Sequence, residues 1–592
     1  MPHVGCRLCG PVAARPRVPG RTPYPAVAMA QRWTGAPGPA AVATAVPAEA
    51  TGGRAPDGER EGHDTAAPAP GPPDRVLPRV ALASTLVPLL VSAIALFVTG
   101  GAYRPFADVA SIELWTRAVG HDWPLVGPFS RSGWYHPGPA LFYVLALPYR
   151  LLGGPSLALP LGALAINAAS VAGMAVVARR RGGTPLMLIT LLGCALVLRS
   201  LGTDEVRVPW NPWVTVLPYG LVVFLTWAMT CGDRWALPLA AFVGSFVAQT
   251  HVGYVALALP LVAFGTAWLV VAHRSTLRRL ALPGLATLGV VVVMWSPAIV
   301  EQLRNDPSNL ERTVDWFRSG GVGEEGPATL GDGWRVVSAQ YWVAPEWLVG
   351  TRPVLASSAE PRYVHQALAP VLLVVVALAI LALWRRRVED SGRLVAVWAL
   401  ASGLGVLATA RTIGPLYAYR LGWTRLLGMV AGVIVAWAVW RAAAGPWPAR
   451  AARALPRVAL AGIAVLAVVS SVAHVRAAER PPDESANIRE LTRGVVAALS
   501  PGQGEVVVKG RGLGGLAYAP ALVLQLERQG IDSSVASARP DAREPHYYDG
   551  GPVRATLSVA VEADVDDLAT NPDRRLVASA GDPTVAVFMA ER

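Results

Sequence analysis

Acidic and histidine side chains are costly at bilayer depth and are kept there mainly for function. In this 592-residue chain they gather between long apolar runs rather than inside them. One such stretch holds Asp108, Glu113, His121, Asp122 and His136; a second holds Asp204, Glu205, Arg207 and Asn211. Gln249 and His251 close one apolar run, and Arg411, Arg420 and Arg425 surround another turn. Carboxylates facing arginines at a membrane surface suit a reaction in which a base takes a hydroxyl proton while cations hold a departing phosphate. Plainer roles stand beside these. Asp108 precedes a helical run and would serve as a helix cap, His136 before Pro137 would satisfy a turn, and His251 at a helix end would be a packed, hydrogen-bonded residue. No cofactor is certain; a divalent cation, if one assists, would draw on Asp108, Asp204 and Glu205.

The elements that position these groups are membrane helices. Mean hydropathy is positive, and apolar runs of bilayer length recur from about residue 80 to 475, which rules out a soluble protein. The first run, 80–100, reads as an uncleaved signal anchor. Further spans are expected at 156–178, 185–201, 213–231, 235–251, 254–272, 280–299, 365–384, 393–411, 423–441 and 457–475, about eleven in all. Arginine clusters at 179–181, 234, 274–279, 385–387 and 441–457 then fall on one face, which is the cytoplasmic one. That parity puts the amino terminus inside and the carboxyl terminus outside a multi-pass protein of the cell membrane. The run 139–152, PALFYVLALPYRLL, would break the pattern as a span and is expected to be an interfacial helix.

Three domains follow: a disordered cytoplasmic tail over 1–76, a transmembrane domain over 77–475 with outer loops 101–155 and 300–364, and an outer domain over 476–592. The tail is rich in Pro, Ala, Gly and Arg without apolar periodicity, and its lone CxxC, Cys6 and Cys9, has no second metal half-site. The outer domain alternates β-patterned runs (EVVVKG, SSVAS, ATLSVAV, TVAVFM) with a helical APALVLQLERQG, giving a small α/β unit. Its Gly510, Gly512 and Gly515 match a dinucleotide fingerprint, with Asp532 about 20 residues on. An outer location and Pro520 at the expected helix start favour a plain tight turn. The formal charge of +12 sits beside apolar runs, where arginine orients helices and meets membrane lipid, so nucleic acid is not an expected partner. Trp210, Trp213, Trp316, Trp334, Trp342 and Trp347 near the outer loops read first as headgroup anchors, and the stretch 295–317 as an amphipathic helix that covers the site or lies on the membrane.

A first span followed by FADVASIELWTRAV, then WYHPGPALFYVLALPYRLLGG, then an apolar helix ending in basic residues, resembles the GT-C superfamily of membrane glycosyltransferases. Within it, the protein O-mannosyltransferases and lipid A aminoarabinose transferases are most similar. The resemblance covers roughly 80–440 and is strongest over 101–155. It implies a sugar donor linked to polyprenyl phosphate, a cell-envelope glycan, lipid or protein acceptor outside the cytoplasm, and inversion at the anomeric carbon. By the same resemblance Asp108 matches the general base, His136 and Pro137 the entry to the interfacial helix, and Glu205 with Arg207 an acid-then-Arg pair. The donor-phosphate arginine matches only loosely, since LYAYRLGWTR places Tyr before Arg, and both Arg420 and Arg425 remain candidates. Val109 stands where a second acid is usual, which weakens a paired-carboxylate metal site. A transporter of lipid-linked sugars, or a glycan-binding membrane protein without catalysis, are the rivals. A transporter should carry ionisable groups at helix centres, where this sequence has little beyond Asn167.

Overall fold

Apolar segments enter lipid only when every backbone N–H and C=O is bonded within the segment, and the Leu-, Val- and Ala-rich runs here meet that demand as helices. The computed structural model describes residues 76–592 apart from 131, 322–325, 351–370, 386–388, 444–448, 480–481, 500–501, 503, 537–545, 549 and 592. The amino-terminal tail with Cys6 and Cys9 lies outside the described residues. Every apolar run is helical: Val76–Thr99, Ala158–Arg207, Val216–Thr230, Ala236–Thr250, Val255–Ala272, Ala281–Arg304, Val371–Arg385, Glu389–Ala410, Thr424–Ala443 and Ala449–Ala478. Eight helical segments among the described residues are long and apolar enough to cross a membrane. One of them, Ala158–Arg207, contains two of the expected spans as separate helices that meet at Gly182 and Gly183, whose backbone angles are non-helical. Ala236–Thr250, at 15 residues, falls short of the roughly 20 that a bilayer core requires. The chain is a multi-pass helical membrane protein.

The segment expected at the interface forms the helix Ala140–Leu151, 12 residues long. At 1.5 Å per residue it covers about 18 Å, well under a bilayer core. Polar groups sort to the two ends of the bundle. At one end Arg180 and Arg181 reach Asp233 at 3.5 and 3.6 Å, and the Trp227 indole donates to the Asp390 carbonyl at 2.8 Å. The other end carries the loops and the carboxyl-terminal domain. There Asn309 clamps the backbone of Tyr135, accepting from its N–H at 2.8 Å and donating to its carbonyl at 2.9 Å. Ser308 and Glu311 form a capping box that starts the helix Asn309–Arg318 beside this clamp. The amphipathic stretch 295–317 therefore divides into the end of a long helix and a short capped one that covers the segment leading to His136.

The carboxyl-terminal domain is a five-stranded sheet of order β2-β1-β3-β5-β4, with β1 Glu505–Gly510, β2 Ser533–Val535, β3 Val553–Val561, β4 Arg575–Ala580 and β5 Val585–Glu591. β1 runs parallel to β2 and β3, and β5 pairs antiparallel with β3 and β4. Three further elements complete the domain: the helix Asp483–Ala498, whose Ile488, Leu491 and Val495 are buried at helical spacing, the helix Ala563–Ala569, and edge strand β4, whose first residues Arg575 and Leu576 are exposed. The helix after β1 starts at Gly512 rather than at Ala519, so Pro520 lies inside it. That costs one backbone bond in a helix whose Ala521, Leu522, Val523 and Leu524 are buried. Gly512 has φ +60, and a side chain there would strike the Asp564 carboxylate. An aspartate thus stands at the helix N-terminus, where a dinucleotide would place its own negative phosphates, and the glycines serve close packing.

Candidate active site

Asp108 lies in the first turn of the helix Ala107–Ala118. Ala107 before it adopts φ +49, a left-handed conformation that costs a non-glycine residue about 1 kcal/mol or more. No side chain caps this helix. The Asp108 carboxylate instead accepts from the Trp210 indole N–H at 2.7 Å and stays exposed. Although solvent reaches it, the surrounding protein raises its carboxyl above the usual range, and the indole bond offsets part of that rise.

Trp210 stacks obliquely on Tyr419 at 4.7 Å, and Tyr419 stacks on Tyr417 at 5.4 Å. The Arg420 guanidinium lies over both tyrosine rings, 5.3 and 5.7 Å from their centroids. It donates to the Tyr419 hydroxyl at 3.3 Å and the Ile413 carbonyl at 3.4 Å. No carboxylate among the described residues pairs with it. This is a cation held by aromatic faces and left open to an anion.

His136 and His251 stand 4.7 Å apart, ring to ring. Each accepts a backbone N–H at Nδ1, His136 from Val252 and His251 from Gly253, both at 3.2 Å. Those bonds place the remaining ring proton on Nε2. Burial holds both rings neutral: it depresses His136 well below the ordinary range, with His251 and Arg420 adding to the effect, and brings His251 to about 3, helped by Arg420. Two neutral N–H donors and one unpaired cation therefore share this end of the bundle with Asp108.

Four other residues singled out from the sequence, Asp204, Glu205, Arg207 and Arg425, pair with one another. Gly202, at φ +76, breaks the long helix so that its last turn carries Glu205 toward Arg425. Arg425 Nη1 meets Glu205 at 2.9 Å, its Nε lies 3.3 Å from Glu346, and both members of the first pair are buried. Arg207 pairs instead with Asp204 at 3.0 Å, so the acid-then-Arg pair implied by resemblance is split between different partners. Because removal of one member strands the other charge in the interior, Arg425→Met is expected to destabilise the protein by about 3–5 kcal/mol. Thermal unfolding in detergent should show this, with Glu205→Gln in the same chain recovering part of the loss.

Asp108, Asp204 and Glu205 thus hold to separate partners, and no group of three His, Cys, Asp or Glu side chains among the described residues could hold a metal ion. This donor set does not fit a divalent cation, and none enters the chemistry derived below.

No protein-family model and no curated protein matches the chain. Among solved structures, it is similar to ArnT from Cupriavidus metallidurans bound to undecaprenyl phosphate, with a TM-score of 0.51 at 15% identity over 84% of this chain and 97% of that one. The chain has the GT-C fold. A lesser likeness, with a TM-score of 0.38 at 13% identity over 80% of this chain and 67% of the other, is to an Archaeoglobus fulgidus oligosaccharyltransferase in complex with Zn and sulfate.

On this GT-C frame, sequence reasoning located Asp108, His136, His251 and Arg420 but missed their aromatic connectors. Trp210 bonds Asp108 instead of anchoring in headgroups, and Tyr417 and Tyr419 frame Arg420. The Tyr-Ala-Tyr-Arg run was the signal available for the latter. Trp213 and Trp347 are buried, the Trp347 indole lying against Gly428 and Gly432, while Trp316 packs on Trp134 at 5.6 Å.

Proposed function

We infer that this GT-C-fold protein transfers a sugar from a polyprenyl-phosphate donor to a cell-envelope glycan, lipid or protein on the outer face of the membrane. One observation carries the reading. An exposed carboxylate with a single hydrogen bond, Asp108, is joined through Trp210 and Tyr419 to Arg420, a guanidinium without a carboxylate partner among the described residues. Undecaprenyl phosphate, bound in the ArnT crystal structure, is the kind of leaving group such a reaction releases.

In this mechanism Asp108 accepts the proton of the acceptor hydroxyl while that oxygen bonds to the anomeric carbon. The bond from that carbon to the phosphate oxygen breaks, and its electron pair leaves with the polyprenyl phosphate. Attack opposite the leaving group inverts the carbon. Arg420 faces the charge growing on the phosphate, and His136 and His251 offer Nε2–H groups to sugar or phosphate oxygens. The arginine parity puts the amino terminus in the cytoplasm and the domain 476–592 outside.

A base must be ionised to act, so activity falls as pH drops through the Asp108 pKa. Since that value is raised, the acid limb of kcat/KM should lie above the normal aspartate range near 3.9. Trp210→Phe removes the bond that lowers it and should move the limb to higher pH. Neither histidine should add a limb between about pH 5 and 8, because both remain neutral there. The test is transfer of labelled sugar from a panel of undecaprenyl-phosphate sugars to envelope fractions by membranes carrying the protein. Label moving with one donor supports the function; no transfer with any donor across the panel would overturn it.

A further inference from the structure

The helix that carries Asp108 belongs as much to the carboxyl-terminal domain as to the membrane bundle. Its Ala110 and Leu114 are buried in one apolar cluster with Ile488, Leu522, Leu557 and Val587 of that domain. Just ahead of the helix, Phe106 meets the Tyr518 ring at 4.7 Å, and the Arg104 backbone exchanges two bonds with the Ser485 hydroxyl at 3.1 and 3.0 Å. The opposite face of the helix stacks on the bundle, Trp115 lying parallel to Phe142 at 5.4 Å.

Polar ties concentrate on its second half. Glu113 is fully buried and forms an ion pair with Arg528 of the outer domain. It also accepts from the Tyr149 and Ser156 hydroxyls, each at 3.1 Å. The same Arg528 nitrogen donates to the Gly154 carbonyl at 2.9 Å. One turn further on, Arg117 pairs with Glu527 at 3.0 Å, and His546 bridges Glu527 at 2.5 Å to the Leu114 carbonyl at 2.9 Å. His546 adopts φ +73, and Ala107 at the other end adopts φ +49. Two of the three non-glycine residues with positive φ among the described residues therefore lie where this helix begins and where the domain grips it, and strain of this kind persists only where surrounding structure enforces it.

We propose that the carboxyl-terminal domain sets the position of Asp108, with Arg528 as the positioning residue acting through Glu113. This rests on the role given to Asp108 above. The two glutamate-to-aspartate positions are five residues apart on one rigid helix, about 7.5 Å along its axis, so the point that Arg528 fixes determines where the carboxylate meets Trp210. Without the guanidinium, Glu113 is a buried charge with only hydroxyl partners, and the helix shifts or tilts to relieve it. A displacement of about 1 Å at a reacting group costs as much as 10²-fold in rate.

The test compares wild type, Asp108→Asn, Arg528→Gln and the double variant, each normalised to folded protein, using the undecaprenyl-phosphate sugar that supports transfer. Arg528→Gln is expected to lower kcat at least tenfold with donor KM unchanged, and to add no further loss in the Asp108→Asn background, since residues that act as a unit are not additive. A normal kcat in Arg528→Gln, or losses that multiply in the double variant, would overturn the positioning role while leaving Asp108 as base. Full activity in Asp108→Asn would remove the base and this proposal with it. If Arg528→Gln does not fold, Arg528→Lys decides by the same cycle: it keeps a charge for Glu113 but, on a shorter and differently shaped side chain, does not reproduce the position of the Nη2 group that meets Glu113, Tyr149, Ser156 and Gly154 together.

Discussion

Asp108→Asn should lower kcat for sugar transfer by about 10²- to 10⁴-fold, the range expected for loss of a positioned general base, while donor KM changes little. Asparagine matches aspartate in shape and can still accept from the Trp210 indole through its amide oxygen, so the aromatic connection to Tyr419 and Arg420 survives. What disappears is the group that takes the hydroxyl proton. The left-handed backbone at Ala107 and the packing of Ala110 and Leu114 do not depend on the charge, and thermal unfolding should stay within about 1 kcal/mol of wild type. Loss of rate with fold and donor binding retained separates a base from a cap or a scaffold residue. Undiminished transfer would take Asp108 out of the mechanism. Measured over pH, the wild-type acid limb ties the same carboxyl to the chemistry by a second route.

The frame of this molecule was legible because lipid imposes a local rule: a run of about 20 apolar residues must coil. Short β-branched runs in EVVVKG and ATLSVAV disclosed β1 and β3 for a similar reason, since strands covered on both sides carry consecutive buried residues, as Val506 to Val508 do here. The site was legible only as an inventory. Asp108 and Trp210 stand 102 residues apart, Glu205 and Arg425 220, and Glu113 and Arg528 415. No spacing rule reaches across such distances, so the sequence offered Arg207, Arg420 and Arg425 as equals. The fold separates them by assigning carboxylates to two of the three. The break at Gly182 and Gly183, next to the Arg179 to Arg181 cluster, was legible in the same way as the frame, and it divides two helices within Ala158–Arg207 as expected.

That separation leads to the second large effect. Arg420→Gln should lower kcat/KM by about 10²- to 10³-fold, the cost of removing one preorganised charge from a developing anion. Arg425→Gln should act mainly on stability, because its guanidinium is already taken by Glu205 and Glu346. Glutamine at 420 can keep a bond to the Tyr419 hydroxyl, so the loss would report charge more than shape. Arg420→Lys restores the charge without the flat face that lies over Tyr417 and Tyr419, and should recover only part of the rate. Undecaprenyl phosphate as a product inhibitor gives a reading separate from turnover: its inhibition constant should rise in Arg420→Gln and stay near wild type in Asp108→Asn. If inhibition is unchanged in Arg420→Gln, the cation that holds the phosphate lies elsewhere, and Arg207, whose pairing with Asp204 is only partly buried, becomes the next group to test.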